Sequence, residues 1–349
     1  MRAIPQSVRL RRGIDRSRRG ITIAEVLVTI GIVGLLLSLL MPAVLRSRER
    51  ERSLVCRNHL KQIALAAHSH QASHAAFPYT STLWEDIAIN PPKKYLAISP
   101  HRHLVAHLEP THYRKIDFND PTAPVWAAFP PNQFLAAGHR ELQEVRIPTL
   151  VCPSDDSAPG ATSYRANMGI SVDVWPPSST VESISQRGAF VNGQAVSAAS
   201  FSDGLSNTAL FSERVLGDRN PAGYDPFRDV FATGSCPQGT PNLVAHCRQT
   251  ASLKPPYEYS FLGGSWLLGG WSHSGYNHVL TPNSTTPDCG YGPGCVDGGA
   301  TVMSARSFHE GGVNVAMADG AVRFVASTID IEVWHAFGTR NGHERTSGL

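Results

Sequence analysis

Charge is scarce in this sequence, and the small excess of one sign is confined to one end. Asp, Glu, Lys and Arg make up 17% of the 349 residues and hydrophobic residues 42%, which excludes a disordered chain and allows a full core. Seven of the 31 basic residues (Arg2, Arg9, Arg11, Arg12, Arg16, Arg18 and Arg19) fall within residues 1–20, beside a single acid, Asp15. Without them the chain has 24 basic against 27 acidic side chains, a net −3, so no nucleic-acid partner is expected. Catalytic patterns are missing too. The sequence has no G-x-S-x-G, no S-x-x-K, no H-E-x-x-H and no C-x-x-C. The glycines of "GGSWLLGGW" (263–271) lack the Lys or Thr of a phosphate loop, and Trp266 and Trp271 point to packing ahead of a carbohydrate-type contact. The expectation is a chain that is not an enzyme and holds no cofactor.

Cysteines are few, six in all, at 56, 152, 236, 247, 289 and 295. Cys236/Cys247 and Cys289/Cys295 form two local pairs in Gly/Pro-rich stretches, where a covalent clamp would help most. Outside the cytoplasm, disulfides are their expected use, with connectivity open. Cys56 and Cys152 read equally well as buried thiols.

What the sequence does have is one long apolar run. Val26–Leu45 is twenty residues without a charge, closed by Arg46. At about 1.5 Å per residue, such a helix spans roughly 30 Å, the thickness of a hydrocarbon core. A discarded signal would be shorter and would end in a small-residue cleavage site, whereas "RSRERERS" continues in helical style. Glu25, at the threshold of the run, is costly in lipid unless something pairs with it. The stretch "RRGITIAEVLVTIGIVGLLLSLLMPAV" resembles the prepilin leader of type IV pilins and type II secretion pseudopilins. Residues 1–20 match the basic leader, Gly20 and Ile21 the cutting site, Glu25 the acidic fifth mature residue and Pro42 the helix-bending proline. Ile21 stands where pilins usually carry Phe. The resemblance implies cleavage and methylation by a prepilin peptidase, a Glu25 that pairs with a neighbour's amino terminus, and other pilin-like subunits as partners. It also implies a single-pass protein of the bacterial inner membrane, amino terminus cytoplasmic and body extracytoplasmic.

Beyond the run, apolar positions at helical spacing (Cys56, Leu60, Ile63, Ala67) carry the helix to about His74, before Pro78 stops it. Short apolar or alternating segments then alternate with Pro, Gly, Asn and Ser clusters, which reads as strands and loops. The fold expected is α+β: a long transmembrane helix of pilin type packed on a β-rich C-terminal body of mostly antiparallel strands. The divisions are 1–20 leader, 21–45 membrane and assembly helix, 46–77 helix continuation, and 78–349 extracytoplasmic domain. The clearest strand signal is "GGVNVAMADGAVRFV" (311–325), whose alternation broken by Asp319-Gly320 predicts a tight β-hairpin with positive φ at the turn.

That hairpin carries His309, nine residues, then Asp319 and Gly320, which resembles the H-x9-DG motif of a bacterial family that joins a prepilin-type amino terminus to domain of unknown function 1559. "CRNHLKQIALAAHSH" (56–70), "LVCPSD" (150–155), "TSYRANMG" (162–169), "FSDGLSNTALFSE" (201–213) and "YNHVLTPN" (276–283) match in the same order. The family implies a pseudopilin-like anchored protein without an established activity. His309 and Asp319 could meet at the hairpin base around a metal or a hydrogen bond, although turn chemistry alone accounts for Asp319. Because pseudopilins often bind calcium near their C-terminal loops, Asp319, Asp203 and Asp155 are calcium candidates if the fold gathers them. His70/His74 and His103/His107 are four apart and suit zinc geometrically, but surface histidines explain them as well. Two functions follow: a pilin-like structural subunit, or an anchored module that binds a solute or polymer.

Overall fold

The computed structural model describes residues 22–80, 98–114, 144–155, 158–172, 187–220, 223–233, 240–250, 257–291 and 300–343. Gly20, Ile21, Cys236 and Cys295 lie outside these residues. The chain divides into two units, Met1–Arg48 and Glu49–Leu349.

Helix α1 (Ile23–His74) is 52 residues long and runs through Pro42. Its start is a capping box. Glu25 accepts from the Thr22 backbone N–H (2.8 Å) and hydroxyl (2.9 Å), while the Thr22 hydroxyl accepts from the Glu25 N–H (3.3 Å). Thr29 and Ser38 donate to carbonyls one turn back, so they present no unpaired hydroxyl to an apolar surrounding. The apolar part of α1 is unburied, and the helix is long and apolar enough to cross a membrane. α1 stops where Ala75 turns to φ 59°, a left-handed C-terminal residue with Pro78 close behind.

In the second unit, Cys56, Leu60, Ile63, Ala64 and Ala67 of α1 fall on one face and enter the core beside Tyr164, Phe211, Val313, Val315 and Trp266. Among the described residues the further α-helices are α2 (Pro100–Leu108), α3 (Pro110–Tyr113), α4 (Thr240–Thr250) and α5 (Ile331–Gly338). α2 and α5 start on side-chain caps, Ser99 and Asp330, each accepting from a first-turn N–H.

The strands are β1 (Tyr164–Asn167), β2 (Ala209–Glu213), β3 (Val230–Thr233), β4 (Tyr257–Tyr259), β5 (Gly275–Tyr276), β6 (Asp288–Tyr291), β7 (Gly312–Met317) and β8 (Val322–Ala326). They make two sheets, ordered β5-β1-β2-β7-β8 and β4-β3-β6. Of the described strand pairs, β1·β5 and β3·β6 are parallel and the other four antiparallel, so the body is α+β with mixed, mostly antiparallel sheets. β2 and β7 are buried at every residue, so the Ser212, Glu213 and Asn314 that they carry among apolar residues must find partners inside.

The hairpin of β7 and β8 is present, but its turn has three residues. The Gly320 N–H donates to Met317 O and the Met317 N–H to Ala321 O, so a type I turn over Ala318 and Asp319 ends in Gly320 at φ 83°. Gly320 alone takes the left-handed conformation, while Asp319 holds the turn by accepting from the Ala321 N–H at 2.8 Å.

The local cysteine pairs are corrected by the topology. Cys247 of α4 bonds to Cys289 of β6, one cysteine from each expected pair, and Cys56 of α1 bonds to Cys152, 96 residues away. Trp266 and Trp271 are buried in the core, which removes the carbohydrate-contact reading.

The two sheets share a buried ion cluster. Asp288 of β6 accepts from Arg214 (3.1 Å), Arg306 (3.2 and 3.3 Å), the Ser304 hydroxyl (2.6 Å) and the Ser304 N–H (3.1 Å). Burial alone would raise its pKa, but the two guanidinium groups reverse that and hold the carboxyl below its ordinary value. Asp288→Ala leaves two buried cations uncompensated and is expected to lower the unfolding free energy by about 3–5 kcal/mol in urea titrations. A depressed carboxylate stabilises the fold above its unfolded pKa. The wild-type contribution is therefore fully present above about pH 4 and lost as pH falls further, so an Asp288→Ala chain should show a flatter acid limb in pH-dependent melting.

Candidate functional site: the junction of α1 with the sheet

β2 ends on Glu213, a carboxylate only 2% exposed. Three donors meet it: the Asn314 N–H (2.7 Å) and amide (3.0 Å) from the adjacent strand β7, and His309 Nε2 (3.2 Å). His309 sits just before β7, where its N–H donates to the Ser307 hydroxyl at 3.1 Å and that hydroxyl donates to Gly312 O. Its other nitrogen, Nδ1, lies 2.9 Å from Glu49 of α1, which also accepts from the Ser154 hydroxyl at 2.8 Å. Two carboxylates on one imidazole require both nitrogens to donate. Burial opposes the imidazolium, yet the bond and charge of Glu213, reinforced by Glu49, outweigh it and raise the pKa of His309. Cys152 Sγ stands 3.6 Å from Nε2 and closes the Cys56–Cys152 bridge to α1 on the same spot.

The other end of the motif also docks on α1. Lys61 donates to Gly320 O at 2.7 Å, and a Cβ on Gly320 would stand 3.3 Å from His68 Nε2. The Ala318 and Asp319 N–H groups donate to Thr208 and Leu205 carbonyls, so the "SDGLSNT" turn supports the hairpin tip. His309 and Asp319 therefore do not meet, because they occupy opposite ends of β7.

The remaining candidates are dispersed. Asp155 accepts from the Leu216 N–H and the Ser163 hydroxyl, and Asp203 accepts from the N–H groups of Gly342 and His343. Together with Asp319 they organise three separate turns. His101 is fully buried beside Ser99, and its pKa is pushed down to about 3 by burial and then by Arg165. His70 and His74 stack at 4.2 Å with His103 edge-on to His70 at 5.5 Å, so these side chains pack against each other as well as facing solvent. Among the described residues, the set of His, Cys, Asp and Glu whose donor atoms converge within 4.8 Å is Cys56, Cys152, Glu213 and His309. Glu49, Glu213 and Asn314 are the residues that sequence reasoning missed as site members. The available signal was a Glu and an Asn set in apolar strand patterns, where a polar side chain needs a buried partner.

A family model described as a protein of unknown function, DUF1559, matches residues 46–332. The chain belongs to the DUF1559 family. No curated protein and no solved structure matches it. The DUF1559 match takes in all six body motifs and the whole His309 junction, while the leader and the apolar run precede it. In this DUF1559 member the H-x9-DG motif fastens strand β7 to α1 at both ends.

His309→Ala removes one of the three donors to a buried carboxylate and the ring's link to Glu49. It should cost about 1–3 kcal/mol with the disulfide intact, measured as a lower urea midpoint at unchanged m-value. His309→Ala combined with Glu49→Ala should cost less than the sum of the two single changes, because the pair interacts.

Proposed function

We propose that the chain is a pilin- or pseudopilin-like structural subunit of a type II secretion or type IV pilus-like assembly. In this reading a prepilin peptidase cuts after Gly20 and methylates Ile21. Residues 21–45 hold the protein in the bacterial inner membrane, with the body on the extracytoplasmic side. Inner-membrane lipid and other pilin-like subunits are its partners, and it catalyses no reaction.

The observation that carries this reading is the division of labour within α1. Its first half presents Ile23, Leu27, Ile30, Leu35, Leu39 and other large apolar side chains unburied, while its second half supplies core residues. An apolar helix surface of that length needs lipid or the helices of other subunits to cover it. Glu25 refines the picture. Its capping bonds to Thr22 lie wholly downstream of Gly20, so cleavage leaves them in place, and the carboxylate reaches the assembly step already partly satisfied. The alternative of an anchored solute- or polymer-binding module drew on Trp266 and Trp271, and their burial in the core takes that support away.

Mass spectrometry of the mature amino terminus is the test. The expected species begins at Ile21 and is heavier by one methyl group, whereas an intact Met1 leader overturns the proposal. Glu25→Ala should leave cleavage intact and reduce inner-membrane cross-linking between subunits, and unchanged cross-linking would remove Glu25 from assembly.

A further inference from the structure

We propose that Cys56, Cys152, Glu213 and His309 form a zinc-type metal site that becomes available when the Cys56–Cys152 disulfide is reduced, making disulfide and metal alternative staples between α1 and the sheet. The four residues come from four separated segments, all are buried, and their donor atoms lie within 4.8 Å of one another. Two thiolates, one imidazole and one carboxylate make a nitrogen, sulfur and oxygen donor set that suits tetrahedral zinc.

The spacing already fits at the histidine corner. With metal–ligand bonds of about 2.0–2.3 Å in a tetrahedron, nitrogen and oxygen ligands stand roughly 3.3 Å apart and nitrogen and sulfur ligands roughly 3.6 Å. Nε2 of His309 is 3.2 Å from Glu213 Oε1 and 3.6 Å from Cys152 Sγ. In the disulfide form a proton on Nε2 reconciles it with Glu213, and a divalent ion replaces that proton. Nδ1 keeps its donation to Glu49 at 2.9 Å, the carboxylate–histidine pairing that orients a metal-bound imidazole from behind. A small, partly open pocket bordered by Cys152, Ser154, Glu213 and Phe308 adjoins the cluster.

The steps balance. A small or protein dithiol reduces the bridge, giving two cysteine thiols and the oxidised dithiol. The metal ion then binds as the two thiols and the Nε2 position give up their protons, forming two metal–sulfur bonds, one metal–nitrogen bond and one metal–oxygen bond.

Cobalt(II) is the probe, added to the full-length chain in detergent micelles after reduction by a phosphine and removal of the reductant without air. The reduced chain should bind one cobalt ion with a sulfur-to-cobalt charge-transfer band and the visible bands of tetrahedral cobalt, while the oxidised chain gives neither. Cys56→Ser combined with Cys152→Ser should abolish both signals, and Glu49→Gln, which touches no metal, should weaken binding about 10–100-fold. If the reduced chain loses structure, cobalt or zinc should restore its far-ultraviolet circular dichroism. Absence of the bands, their survival in the Cys56/Cys152 double variant, or a reduced chain that neither ion refolds would each overturn the site. None of these readouts depends on processing at Gly20, so the site and the pilin-like function stand or fall separately.

Discussion

A carboxylate sealed inside a protein has to be met by donors, and in this chain the carboxylate of Glu213 organises the junction. Strand β7 meets it through Asn314, and the segment before β7 meets it through His309. Satisfying Glu213 leaves the imidazole with a second nitrogen to place, and Glu49 of α1 takes it. One buried charge thus ties the centre of the sheet to the helix, and the Cys56–Cys152 bridge adds a covalent tie at the same point. Apolar contacts of Leu60, Ile63 and Ala67 supply the bulk of the attachment, since burial scales with area. The polar cluster adds fixed positions along the helix axis, because hydrogen bonds tolerate little displacement.

The second compensated charge, Asp288, does comparable work between the sheets. Arg214 follows Glu213 directly, and its guanidinium reaches Asp288 in β6 while Glu213 serves the helix junction. Neighbouring residues at the end of β2 thus link it to two different partners, as expected where side chains alternate between faces. The Cys247–Cys289 bridge fastens α4 to the same strand, so β6 is held by an ion cluster and a disulfide together.

Much of this architecture was legible because it follows from local rules. The end of α1 at His74 came from helical spacing followed by Pro78, and the β7–β8 hairpin came from alternation broken by Asp319-Gly320. The turn type was missed because Ala318 cannot be assigned to strand or loop by pattern, and it decides whether Asp319 needs positive φ. Cysteine connectivity stayed open in the sequence because Cys152 and Cys289 find their partners through topology, 96 and 42 residues away, and not through proximity along the chain. The junction was invisible for the same reason. Nothing near Glu213 marks that a helix residue more than a hundred positions earlier will share its histidine.

The two docking points of the motif on α1 give its fixed count of nine a geometric meaning. From Glu49 to Lys61 the helix advances about 18 Å, at 1.5 Å per residue. The six residues of β7 cover about 20 Å, at 3.3 Å each, and place His309 at one end and Gly320 at the other. The segment between them acts as a gauge block cut to a length of helix. One residue more or fewer would shift an end by over half a helical turn and turn the pleat over. The motif therefore specifies a distance and a phase, and two of its nine intervening residues are fixed as well: Asn314, whose amide serves Glu213, and Gly312, where a Cβ would run into the Val325 backbone.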